Sequence, residues 1–136
     1  MNNGVRAIII EGGKVLLMHR VKSGQEYWVF PGGGVEDIDM SLEEALKREC
    51  LEELGVEVKI GDLFFQKPSL ADKTMGRMEL FYNCNIISGE VGTGTGPEFS
   101  GRDIEKYGTY KVEWLSLEEI KDKTVYPLEL RDKLSI

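Results

Sequence analysis

Histidine is almost missing from this chain, with one residue in 136, and cysteine nearly so, with two. A lone His19 and two cysteines outside any C-x-x-C pair offer neither a zinc knot nor a redox pair. Cys50 and Cys84 are therefore expected as reduced core residues. Positive charge is also short: 17 Lys and Arg face 24 Asp and Glu, for a net charge of −7. Such a chain lacks the basic footprint that neutralises a nucleic-acid backbone, so no nucleic-acid polymer is expected as a partner. An anionic small molecule would have to be met through a metal ion or a few placed cations. Long hydrophobic runs are missing too. The longest, 7–10 and 15–18, are strand-sized, and the first residues carry no apolar leader-like stretch. The expectation is one domain over residues 1–136, in the cytoplasm, with no membrane partner.

What is present alternates between strand and helix. Val5 to Ile10 and Lys14 to Val21 are β-branched and apolar and are split by Glu11-Gly12-Gly13, a hairpin signature. His19 and Arg20 end the second strand on opposite faces. Tyr27 to Phe30 reads as a short strand stopped by Pro31, and Gly32-Gly33-Gly34 as a loop whose bare backbone could approach a ligand. Residues 56–65, 77–88 and 109–115 read as further strands. Residues 89–108 form a long glycine-rich loop matching neither the P-loop nor the dinucleotide fingerprint. Ser116 with Glu119 marks a second capped helix start, and Pro127 to Leu134 a terminal helix with Pro127 at its first position.

One stretch carries the chemistry. Ser41 as N-cap with Glu44 three residues on, and Gly55 as stop, bracket a helix ending Arg48-Glu49-Cys50-Leu51-Glu52-Glu53-Leu54. At 100° per residue, Glu49 and Glu53 lie about 40° apart and Glu52 about 60° to the other side. This sector begins apolar, with Leu42, Ala45 and Leu46, and ends acidic. Such a stripe should run from a packed core to a cavity rim. Repulsion between like charges at i,i+4 needs an offset, which a divalent cation would supply. The spacing of Glu44, Arg48 and Glu52 fits a solvated salt-bridge ladder equally well, or an arginine that holds a ligand carboxylate in place.

These residues resemble the Nudix hydrolases, whose pattern is Gly-x5-Glu-x7-Arg-Glu-U-x-Glu-Glu-x-Gly-U, with U a bulky aliphatic residue. Gly34, Arg48, Glu49, Glu52, Glu53, Gly55 and Val56 fall on its fixed positions counted from Arg48, so the box spans about 34–56. The preceding Trp28 to Gly33 is similar to the family's strand into the box. Two positions depart. The pattern's first glutamate falls on Met40, with Asp39 or Glu36 as candidates to stand in for it, and Cys50 replaces the aliphatic U.

The resemblance implies an α/β/α sandwich, a mixed sheet with the box helix on one face and the C-terminal helices on the other. It implies hydrolysis of a nucleoside diphosphate linked to another moiety, by water attack at phosphorus. One form of this takes a nucleoside triphosphate to monophosphate and pyrophosphate. The implied cofactor is Mg²⁺, with Mn²⁺ as substitute, held by Glu49, Glu52, Glu53 and the Gly33 carbonyl. Glu52 and Glu53 would serve catalysis, with Arg48 orienting the carboxylates. Glu98 is the candidate general base and Glu79 the next. Arg20, Gly33 and Gly34 would meet substrate, and the rings of Trp28, Phe64, Phe65, Tyr82 and Phe99 are candidates to stack on a base. Similar proteins are commonly homodimers. The competing reading is a non-catalytic module of the same fold that binds a nucleotide metabolite. The intact trio Glu49, Glu52 and Glu53 favours the enzyme, and Met40 points the other way.

Overall fold

The computed structural model describes residues 3–69, 74–96 and 104–135. In chain order the strands are β1 (Gly4–Glu11), β2 (Lys14–Lys22), β3 (Gln25–Val29), β4 (Gly32–Gly34), β5 (Val56–Pro68), β6 (Met78–Gly89), β7 (Lys111–Ser116) and β8 (Val125–Tyr126). The helices are α1 (Leu42–Leu54), the single turn α2 (Ile104–Tyr107) and α3 (Leu128–Leu134), with a 3-10 turn over Glu119–Asp122.

The strands form a mixed sheet. Along one edge of β1 runs β6, parallel, and beyond it β5, antiparallel. The other edge of β1 is shared: its first residues pair with β4 and only Ile10 and Glu11 pair with β2. Beyond the hairpin β2 leaves β1 and is flanked by β3 and β7, and β8 adds to β3 in parallel. Alternating side chains feed two cores. Val5, Ala7, Ile9, Leu16 and Met18 pack with Ala45, Leu46, Cys50 and Leu54 of α1. Ile8, Val15 and Leu17 pack on the opposite side with Ile120 and with Leu130 of α3. That is the layered α/β arrangement expected.

Local chemistry explains the ends of α1. The Ser41 hydroxyl accepts the Glu44 N–H at 3.1 Å, and Gly55 closes the helix at φ +77°, donating its N–H to Leu51. Elsewhere the structure departs from the sequence reading. Gly32–Gly34 is a strand rather than a loop, because its backbone pairs with Gly4, Val5 and Arg6. Ser116 and Glu119 do form a reciprocal capping box, at 3.0 and 2.7 Å, but on a 3-10 turn. Pro127 is the N-cap of α3 rather than its first helical residue. β8 is too short to show a pattern. Among the described residues, no helix is long and apolar enough to cross a membrane.

Candidate active site

Glu49 and Glu53 are the buried charged residues among those described, 8% and 5% exposed. Both project from α1 toward β4, and the glycines there have steric reasons. The Gly32 N–H donates to Glu53 Oε2 at 2.7 Å. Gly32 has φ +144°, and a Cβ on it would come within 2.0 Å of the Val5 carbonyl oxygen. A Cβ on Gly33 would come within 1.9 Å of Glu49 Oε2. The Glu49 carboxylate thus occupies space that a side chain at Gly33 would fill.

Glu52, on the other side of the predicted sector, stays at the rim. Its carboxylate pairs with Arg48 Nη1 at 3.1 Å, and the same nitrogen lies 3.8 Å from Glu49. Among the described residues, no three Asp, Glu, His or Cys side chains are grouped so as to hold an ion. The donors nonetheless fit a hard divalent cation: two carboxylates on adjacent turns of α1, packed against a backbone strand with carbonyls of its own. Burying two acids so close together is costly without positive charge beside them.

Arg48 organises the turn into the helix. Its Nε and Nη2 each donate to Asp39 at 2.9 Å, and Nη2 also reaches the Gly34 carbonyl at 3.2 Å. The Glu36 N–H donates back to Asp39 at 2.7 Å. The hydrogen bond from Arg48 holds the Asp39 carboxyl below the usual range, against the opposing effect of burial. The same contact pushes the guanidinium further up. Met40 is 91% exposed. Of the two candidates, Asp39 takes two nitrogens of the guanidinium, Nε and Nη2, whereas Glu36 makes one exposed contact with Nη1 at 3.2 Å.

Beside this centre opens a cavity of about 730 Å³. Arg6, Gly32, Glu53 and Glu79 line it next to β4, and Arg20, Tyr27 and Tyr110 line it further along. Arg20 lies 3.7 Å from the Tyr110 ring centroid and donates through Nε to the Thr109 carbonyl at 2.8 Å. This stacked cation is where a substrate contact was expected. Glu79 also lines the cavity, between Arg6 and Arg77. Glu98 and Phe99 lie outside the described residues.

Of the ring candidates read from sequence, Trp28, Phe64, Phe65 and Tyr82 do not line the cavity; Tyr27, Phe30, Phe81, Tyr110 and Tyr126 do. Trp28 is instead buried against His19, ring centroids 4.5 Å apart, with its Nε1 donating to Glu113. His19 lies between Glu26 and Glu113. Arg6 was missed altogether. Its signal was a lone charge inside an apolar strand, flanked by Val5 and Ala7.

The NUDIX domain model matches residues 2–132. The chain belongs to the Nudix family. It is 45% identical to the CTP pyrophosphohydrolase of Escherichia coli (strain K12) over 60 residues, which are 43% of this chain and 44% of that protein. The matched stretch therefore spans less than half of that relative's length. It is 26% identical to the MutT-like protein of Streptomyces ambofaciens over 129 residues, 93% of this chain and 72% of the other. Among solved structures, the Escherichia coli ORF135 protein superposes with a TM-score of 0.66 at 28% identity, over 98% of this Nudix chain and 86% of that one. The MutT Nudix hydrolase of Burkholderia pseudomallei reaches 0.69 at 21% identity, over 99% and 98% of the two chains, a likeness of fold.

Proposed function

We propose that this Nudix protein is a metal-dependent pyrophosphohydrolase of a nucleoside diphosphate derivative, with a nucleoside triphosphate as the leading candidate. The observation that carries this reading is the placement of Glu49 and Glu53, buried against β4, with Glu53 lining a cavity that Arg20 and Tyr110 also line. That pairs an acidic cation site with a cationic, aromatic surface for phosphates and a base. The curated relative named CTP pyrophosphohydrolase supports the substrate class.

In this reading Glu49, Glu53 and the Gly33 carbonyl hold Mg²⁺ or Mn²⁺, with Glu52 joining them. An ion held there would supply activation of water and neutralisation of the charge developing on the phosphates. Arg48 keeps Glu52 and the turn at Asp39 in place, and Gly33 and Gly34 leave room for phosphate beside the acids. Arg20 contacts the phosphates. A carboxylate, Glu98 in this reading, takes the proton from water as its oxygen bonds to phosphorus and the bridging P–O bond breaks. The substrate is a free small molecule, consistent with the chain's acidity, and the protein works in the cytoplasm as a homodimer.

The test is a panel of nucleoside triphosphates, nucleotide sugars, ADP-ribose and dinucleoside polyphosphates with and without Mg²⁺, scored as phosphate after phosphatase coupling. Metal-dependent cleavage of one class is expected, and Glu53→Gln should lower it by orders of magnitude while the circular dichroism spectrum is kept. No metal-dependent cleavage of any member, together with a nucleotide-induced rise in Tm, would instead identify a binding module.

A further inference from the structure

Arg6 sits on β1 opposite Gly32 of β4. Its Nη1 donates to two backbone carbonyls at once, Phe30 at 3.1 Å and Gly32 at 3.2 Å. Between those carbonyls lies the Pro31–Gly32 peptide. The oxygen of that peptide accepts the Ala7 N–H at 2.8 Å, and its N–H is the one given to Glu53. The guanidinium therefore straddles the peptide whose N–H is given to the Glu53 carboxylate. The hold matters because Gly32 is in a left-handed, glycine-only conformation at φ +144°.

Arg6 is itself held from behind. Nε and Nη2 meet Glu79 Oε1 at 3.4 and 3.3 Å, and Arg77 Nε closes on Glu79 Oε2 at 2.7 Å. The Glu79 carboxylate lies where a Cβ on Gly4 would be, 1.7 Å away. Glu79 is thus enclosed by two guanidiniums and a glycine backbone, with each carboxylate oxygen engaged by a guanidinium.

We infer that Arg6, braced by Glu79, is the positioning residue that fixes the Pro31–Gly32 peptide and through it the Glu53 carboxylate. Glu79 serves this brace and is not the general base. The inference rests on the reading of Glu53 as a working carboxylate of the site.

The experiment uses the full chain and compares Arg6→Met, Glu79→Gln and Glu53→Gln. It measures Mn²⁺ affinity by calorimetry without nucleotide, kcat and KM on the best panel substrate, and the pH–rate profile. Arg6→Met should weaken Mn²⁺ binding and lower kcat, each by roughly 10- to 100-fold, with KM changed by less than about threefold. Glu79→Gln should move the same quantities in the same direction by less and leave the shape of the pH–rate profile intact. If Glu53→Gln loses Mn²⁺ binding and turnover while Arg6→Met stays within about threefold of wild type in both, the positioning role is overturned. Loss of a limb of the pH–rate profile in Glu79→Gln would overturn it by making Glu79 the base. Wild-type Mn²⁺ affinity and kcat in Glu53→Gln would overturn the reading of the site, and the brace with it. If Arg6→Met does not fold, Arg6→Lys, which keeps the charge but loses the guanidinium's fork, is judged by the same measurements.

Discussion

Arg48 grips Asp39 with two nitrogens, each at 2.9 Å, from nine positions further along the chain. This contact ties the turn at 36–40 to the middle of α1. The carboxyl of Asp39 is held below its ordinary range chiefly by that hydrogen bond. A group depressed in the folded state adds stability above its unfolded pKa, about 3.9, and that stability fades as pH falls through the folded value. Asp39→Asn should therefore lower Tm at pH 7 and flatten the acid side of the Tm–pH curve below about pH 4. A curve falling as steeply as wild type would show that other groups carry the acid sensitivity. Through Arg48 and Glu52 the substitution should also reduce turnover, roughly 10-fold.

Adjacent glycines should respond in opposite ways to the same substitution. At Gly33 an added methyl meets the far end of the Glu49 side chain, which can swing away. Gly33→Ala should change Tm little and abolish most activity by displacing Glu49. At Gly32 the methyl meets the Val5 carbonyl at a φ that side chains rarely adopt. Gly32→Ala should cost about 2 kcal/mol or more and lower Tm sharply. Melting curves beside kcat separate the two, and equal Tm losses would contradict this division.

Both thiols should be silent in the native protein. Burial pushes Cys84 up to about 12 and Cys50 up as well, the latter with Cys84, Glu53 and Glu49 nearby. Since the thiolate is the reactive form, neither should react with an aromatic disulfide reagent at pH 8 until the chain unfolds. Both should then react at the rate of unfolding. Fast labelling of either one in the native protein would contradict its burial.

The parts of this structure legible in sequence are those whose chemistry is local. Ser41, Glu44 and Gly55 bracket α1 within its own residues, and the box fixes the spacing of Arg48, Glu49, Glu52 and Glu53. β4 was not legible, because three glycines carry no side-chain pattern and their partner strand lies far upstream. The departure at Met40 was visible, but the pairing of Asp39 with Arg48 depends on a turn whose path no periodicity describes. Angular counting grouped Glu49, Glu52 and Glu53 in one sector, yet Glu52 is drawn to Arg48 at the edge. Which rings line the cavity was hidden for a related reason: composition finds aromatics such as Trp28 and Tyr82, whereas the pairing of the strands decides which of them face it.

The parallel pairing of β1 with β6 has a kinetic corollary. Arg6 and Glu79 are 73 positions apart, so the wall beside Glu53 closes only when a long loop does. Contacts of that span are reached late, after local helix and hairpin formation. In refolding, far-UV ellipticity should recover ahead of catalytic competence, which makes regain of activity a clock for completion of the sheet.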